Sequence, residues 1–273
     1  MSDNQKHPYH LVDPSPWPLV TAGSLLILAY GFVMFMHEEK SLMFAIGSIA
    51  LIISSILWWR DVVAESEGGK FHNKVVVIGL RYGMILFIAS EVMFFSAWFW
   101  AFFDVAFYPG NNSQELIGRQ ESLGGVFPPE EIELIPPFGI PLLNTFILLA
   151  SGGTVTWAHH ALRENDRKNF LIFLFLTILL GIIFTGFQAY EYMHATFTID
   201  EGIYPSTFYM ATGFHGAHVI IGTIFLIVCF IRGTVGHFKP EKHLGFEFAA
   251  WYWHFVDVVW LFLFTFVYWW ASV

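Results

Sequence analysis

Residues 82–103 read YGMILFIASEVMFFSAWFWAFF, a stretch in which Glu91 is the only formal charge. At about 1.5 Å of rise per residue, a helix of this length crosses the ~30 Å hydrocarbon core of a bilayer. A carboxylate at that depth costs about 2.5–3.5 kcal/mol on insertion scales, so it needs a partner or a use. Asp257 repeats the situation in the last apolar run, and His215, His218 and His254 lie at similar depth. An ionisable belt inside a membrane reads as functional by default.

Outward from this stretch the pattern repeats. Of the 273 residues, 56% are hydrophobic and 13% charged, where a soluble domain carries about 25% charged residues. Mean hydropathy is +0.58. Runs with almost no charge fall at 18–36, 42–59, 75–107, 138–157, 170–193, 206–231 and 246–271. They predict an all-α integral membrane protein of seven transmembrane helices, the third long enough to tilt or to project beyond the bilayer. Little chain lies outside these runs, so residues 1–273 read as a single membrane domain. The net charge of −9 carries no nucleic-acid signal, because so few residues face bulk water.

With the N-terminus inside, the inner segments hold eleven of the thirteen Lys and Arg, leaving Lys40 and Arg119 outside. That bias predicts an inner N-terminus and an outer C-terminus. Tryptophans agree: Trp17, Trp58, Trp59, Trp157, Trp251 and Trp253 mark inner ends, and Trp98, Trp100, Trp269 and Trp270 outer ones. Only Trp260 falls mid-span. The polar, proline-rich start lacks the apolar core of a signal peptide, so the first span serves as its own insertion signal. Cys229 is the sole cysteine, which excludes disulfides and Cys-based metal sites. The outer loop 108–137 carries Glu115, Glu121, Glu130, Glu131 and Glu133 and reads as a docking surface or a solvated connector.

The intramembrane polar groups admit three readings. His215 and His218 are spaced i,i+3 and share a helix face, as do His254 and Asp257. His-x-x-His with a Glu, His and Asp from neighbouring helices offers enough ligands for iron or copper. Di-metal bundle sites, however, repeat Glu-x-x-His on two helices, and no such repeated pair occurs. The groups can instead hydrogen-bond one another and lock helix packing, or handle protons, and these two roles are compatible. His215 or His218 is the expected partner of Glu91. His254 and Asp257 are expected to point into the bundle, since facing lipid would leave both unsatisfied. Ala211, Gly213, Gly216, Ala217, Gly222 and the run 150–153 read as close-packing small residues. Trp58 and Trp59, beside Arg60 and Asp61 and followed by Glu65 and His72, suit either a phospholipid head group or ordinary interface anchoring.

Several long stretches in order resemble subunit 3 of the aa3-type cytochrome c oxidases. They are HLVDPSPWP at 10–18, WWRD at 58–61, GLRYGMILFIASEVMFF at 79–95, PLLNTFILLAS at 141–151, TWAHH at 156–160, ATGFHGAHVIIG at 211–222 and WYWHFVDVVWLFLF at 251–264. The resemblance implies a seven-helix accessory subunit that is not itself catalytic and holds no metal. Haem a and copper are expected only in its partners, the catalytic haem–copper subunit 1 and the copper-bearing subunit 2. The assembly would couple oxygen reduction to proton pumping in aerobic respiration, this chain stabilising the catalytic subunit and its proton uptake. The resemblance further implies that helices one and two splay from three to seven around a cleft holding phospholipid. Trp58, Trp59, Glu65, His72 and Gly83 match lipid-contact positions, and Glu91 the family's buried carboxyl. The loop 111–137 is longer and more acidic than in short mitochondrial members. It tilts the expected location toward a bacterial cytoplasmic membrane, with the mitochondrial inner membrane as the alternative.

Three rivals remain. A retinal-type or receptor protein suits the span count, yet every lysine lies outside the hydrophobic cores, leaving no mid-membrane Schiff base. A membrane proton or ion transporter would use Glu91 and Asp257, but usually shows paired repeats and broken helices. A catalytic haem–copper subunit needs more midplane histidines. A visible spectrum of the purified chain separates these.

Overall fold

The computed structural model describes residues 9–11, 13–69, 72–110 and 124–273. Their fold is all-helical, apart from an isolated bridge between Lys239 and Lys242. The helices are α1 (Trp17–Glu38), α2 (Leu42–Gly68), α3 (Lys74–Phe107), α4 (Ile140–Arg163), α5 (Arg167–Met193), α6 (Ile203–Thr234) and α7 (Leu244–Phe262). A π-helical turn, Leu263–Trp269, and a 3-10 turn, Trp270–Ser272, continue α7. Among the described residues, seven helices are long and apolar enough to cross a membrane; this is a multi-pass membrane protein. Glu115, Arg119, Glu121, Lys6 and Lys70 lie outside the described residues.

The helices outlast the apolar runs that announce them. Helix α2 continues through Arg60, Asp61 and Glu65 to Gly68, and Gly69 ends it in the left-handed region at φ 67°. Backbone hydrogen bonding does not register the bilayer edge, so a helix stops where its local sequence stops it. At the start of α5, Asp166 accepts from the backbone N–H of Asn169 at 3.1 Å. That bond, with a second from the Asn169 side chain, holds its carboxyl below the usual range. The Arg167 guanidinium donates to the carbonyls of Gly233 at 3.0 Å and Thr234 at 2.5 Å. These carbonyls lie at the C-terminal end of α6, where positive charge is favoured, and that of Gly233 also accepts from the Gly236 N–H.

Two compact units are described, Met1–Tyr82 and Gly83–Val273. In the first, α1 and α2 form a hairpin whose buried residues are small: Ser24 and Gly31 from α1, Gly47 and Ser54 from α2. A side chain at Gly31 would fall on the backbone of Met43 and Phe44, and one at Gly47 on that of Ile27 and Leu28. Small residues face inward and Leu and Ile outward, as lipid permits and water does not.

In the second unit, α4 packs on α5, α5 on α6, and α7 on both α4 and α6. Helix α7 is the most enclosed. Trp253, expected at an interface, is instead fully buried, its indole over Gly181 of α5 and Gly222 of α6. Its Nε1–H donates to Ser151 Oγ at 2.8 Å, and Trp260 Nε1–H donates to Thr145 Oγ1 at 2.9 Å. About half of the α3 residues in this unit are exposed, and the helix attaches through rings rather than close backbone approach. Phe94 meets Phe214, Phe95 meets Phe255, Phe99 meets Phe262 and Phe103 meets Phe266.

Small residues in α4 and α6 divide by face. Gly152 and Gly222 are tightly enclosed, whereas a side chain at Gly153, Gly213 or Gly216 would meet no described atom within 4 Å. Successive helical residues turn about 100°, so a run of small residues cannot share one contact.

Candidate functional site

Glu91 on α3 faces His218 on α6. His218 Nε2 lies 2.9 Å from Glu91 Oε2, and its Nδ1 lies 2.7 Å from the carbonyl oxygen of Phe214. A carbonyl only accepts, so Nδ1 carries hydrogen. One further proton then lies between Nε2 and the carboxyl, whichever group holds it. In either form the pair is neutral overall, and each of the two facing atoms has a hydrogen-bond partner. Phe94, Phe95 and Tyr252 surround the imidazole, at ring separations of 5.8, 4.9 and 6.3 Å. The result is a polar lock inside an aromatic sleeve, tying α3 to α6.

His215, one turn away, belongs to a different environment. It is fully buried between Phe184 and Trp260, and its Nε2 lies 3.2 Å from the Val256 carbonyl. The two histidines of His-x-x-His therefore diverge, one toward α7 and one toward α3. They do not converge on a common ligand position.

Asp257 points into the bundle at 7% exposure, against Gly152, whose missing side chain makes room for it. Its Oδ2 is 3.9 Å from His254 Nδ1, too far for a hydrogen bond, and Oδ1 has no hydrogen-bond partner among the described residues. His254 does not follow it inward. Its side chain is 45% exposed and its Nε2 lies 3.2 Å from Thr156 Oγ1. An i,i+3 offset leaves about 60° between two side chains, enough to put one in the core and the other at its margin.

A further buried carboxyl escapes sequence reading altogether. Glu191, near the end of α5, accepts from the Tyr268 hydroxyl at 2.7 Å and from Gln188 Nε2 at 3.1 Å. Tyr268 stands in the π-helical turn. A glutamate two residues from the end of an apolar run reads as interfacial, and its tyrosine partner is 77 residues distant.

In the first unit, Trp59 is 66% exposed. Trp17 Nε1–H donates to Asp61 Oδ2 at 2.5 Å, and Asp61 also pairs with Arg60 at 2.9 Å. Glu65 contacts His10 and, at 3.3 Å, His72. In the second unit, a side chain at Gly83 would meet no described atom within 4 Å.

The profile of one family, "Cytochrome c oxidase subunit III", matches residues 7–272. Among individual relatives, the "Cytochrome c oxidase subunit 3" of Arabidopsis thaliana is 52% identical over 275 residues, covering 100% of both chains. That of Marchantia polymorpha is 53% identical over 274 residues, again covering 100% of both. That of Equus caballus is 53% identical over 269 residues, covering 98% of this chain and 99% of its own. With a match running end to end and every apolar span inside it, the chain belongs to the cytochrome c oxidase subunit III family.

Proposed function

We propose that this chain is a non-redox accessory subunit of a proton-pumping cytochrome c oxidase in aerobic respiration. The observation that carries the reading is its match, over the full length of both chains, to proteins named as that subunit. Haem a and copper chemistry belongs to the partners, haem–copper subunit 1 and copper-bearing subunit 2. The midplane histidines suit this division. His218 is engaged by Glu91 and the Phe214 carbonyl, whereas His215 lies on the Val256 carbonyl, so the two rings do not share one ligand position. A tagged chain purified in mild detergent should bring down haem-bearing subunits in equal amount. Stoichiometric iron or copper in the isolated, folded chain would overturn the reading.

The contribution to the complex is structural support for the catalytic subunit and its proton uptake. Glu91 and His218 hold α3 in place through a shared proton. Glu91→Gln keeps size and a hydrogen bond, so assembly should be normal, with at most a modest loss of proton-coupled turnover. Glu91→Leu leaves a part-buried imidazole nitrogen without its partner, at a cost of about 1–3 kcal/mol. Oxygen uptake and thermal unfolding of the two variant complexes provide the comparison. Complete loss of oxygen reduction in a fully assembled Gln variant would make Glu91 catalytic.

The second contribution is phospholipid retention by Trp58, Trp59, Glu65, His72 and Gly83. The exposed Trp59 indole and the polar groups that follow it on α2 support this assignment. Replacing both tryptophans with Ala should lower the phospholipid retained per complex after detergent washing. Mass spectrometry showing unchanged lipid would count against these contacts. The membrane is an energy-transducing one, bacterial cytoplasmic or mitochondrial inner. The acidic loop does not decide between them, because the plant relatives align over the whole chain.

A further inference from the structure

His10 meets Glu65, 55 residues further along the chain, and His72 beside the end of α2. Glu65 stands one helical turn beyond Asp61 on the charged extension of that helix. The bond from Trp17 Nε1–H to Asp61 draws the N-terminal segment along α2 and brings His10 Nε2 onto Glu65 Oε1. Gly69, with φ 67°, turns the chain after α2, and His72 returns to place its Nε2 3.3 Å from the same oxygen. The imidazole centroids are 5.5 Å apart. All three ligand atoms lie within 4.8 Å of one another.

We propose that His10, Glu65 and His72 bind a divalent transition-metal ion of the zinc class. Zinc bonds to nitrogen and carboxylate oxygen are about 2.0–2.2 Å, which places neighbouring ligand atoms of a tetrahedron about 3.3–3.6 Å apart. The His72–Glu65 separation already has that value, and His10 offers its ligand atom within 4.8 Å of both. Two imidazoles and one carboxylate suit zinc; magnesium and calcium favour all-oxygen sets. Side-chain exposures of 34%, 19% and 18% for His10, Glu65 and His72 leave an entry path and a fourth position for water. The ion would fasten the N-terminal segment to α2 and to the α2–α3 connection. This departs from the expectation that the chain holds no metal; it leaves the non-redox reading intact, since zinc is redox-inert, but it draws on Glu65 and His72, which the phospholipid assignment also uses.

The test uses the intact membrane complex, stripped with a chelator, loaded with zinc in excess magnesium, washed and assayed for metal by mass spectrometry. Wild type should retain one more zinc per complex than a His10→Asn/His72→Asn variant. Equal zinc in the two overturns the proposal. Phospholipid measured on the same samples separates metal loss from any loss of lipid. A second measurement on wild type does not depend on the variant assembling. Carbethoxylation of His10 and His72 by diethyl pyrocarbonate, mapped by peptide mass spectrometry, should be suppressed at both by zinc and not by magnesium. Equal labelling with and without zinc refutes the site.

Discussion

Trp253→Ala is expected to destabilise the second unit by about 3–5 kcal/mol, the range for emptying the site of a large buried aromatic. Its indole has no exposed surface and fills the space that Gly181 and Gly222 leave between α5 and α6. Neither glycine can collapse onto the vacated volume, because neither has a side chain to move. The lost bond to Ser151 adds to the loss, though Ser151 still donates to the Leu148 carbonyl at 2.6 Å. Trp253→Phe separates the two terms, keeping a buried ring and forfeiting a hydrogen bond of about 1 kcal/mol. Denaturant titration in mixed micelles should rank wild type above Phe and Phe well above Ala. An Ala variant within about 1 kcal/mol of wild type would mean that Trp253 belongs to the interface belt after all.

Gly47→Leu is expected to force α1 and α2 apart. The new side chain would land on the backbone of Leu28, and backbone, unlike a flexible side chain, cannot step aside. Overpacking of this kind costs about 1–3 kcal/mol in an adaptable core, and more where the obstacle is main chain. Gly31→Leu should behave alike, meeting Phe44 from the opposite helix. Gly23→Leu is the control: it lies on α1, with no described atom within 4 Å of the added carbon. Cysteine cross-linking between α1 and α2 should fall sharply in the first two variants and persist in the third. Cross-linking that survives Gly47→Leu would show that the helices do not approach closely there.

The sequence by itself determined the class and the kinship. Exclusion of charge from seven long runs requires helices, because a backbone in hydrocarbon must satisfy its own polar groups. The motifs around Trp58, Glu91, His218 and Trp253 carry the family through the entire chain. Glu91 and Asp257 stood out in the sequence because a charge in an apolar run is conspicuous. Which way each residue faces was decided only by tertiary structure. In water a helix advertises its buried face by contrast with a polar one. In lipid both faces are apolar, so α1 and α3 bear no stripe that separates core from surroundings. Hence Trp253 reads as interfacial yet lies in the core, and Gly47 looks like any small residue yet sets a helix crossing. His218 takes Glu91 while His215 turns to Val256, and Glu191 meets Tyr268 across the bundle. Each of these depends on a partner supplied by another helix, and no local pattern records the phase at which two apolar helices meet.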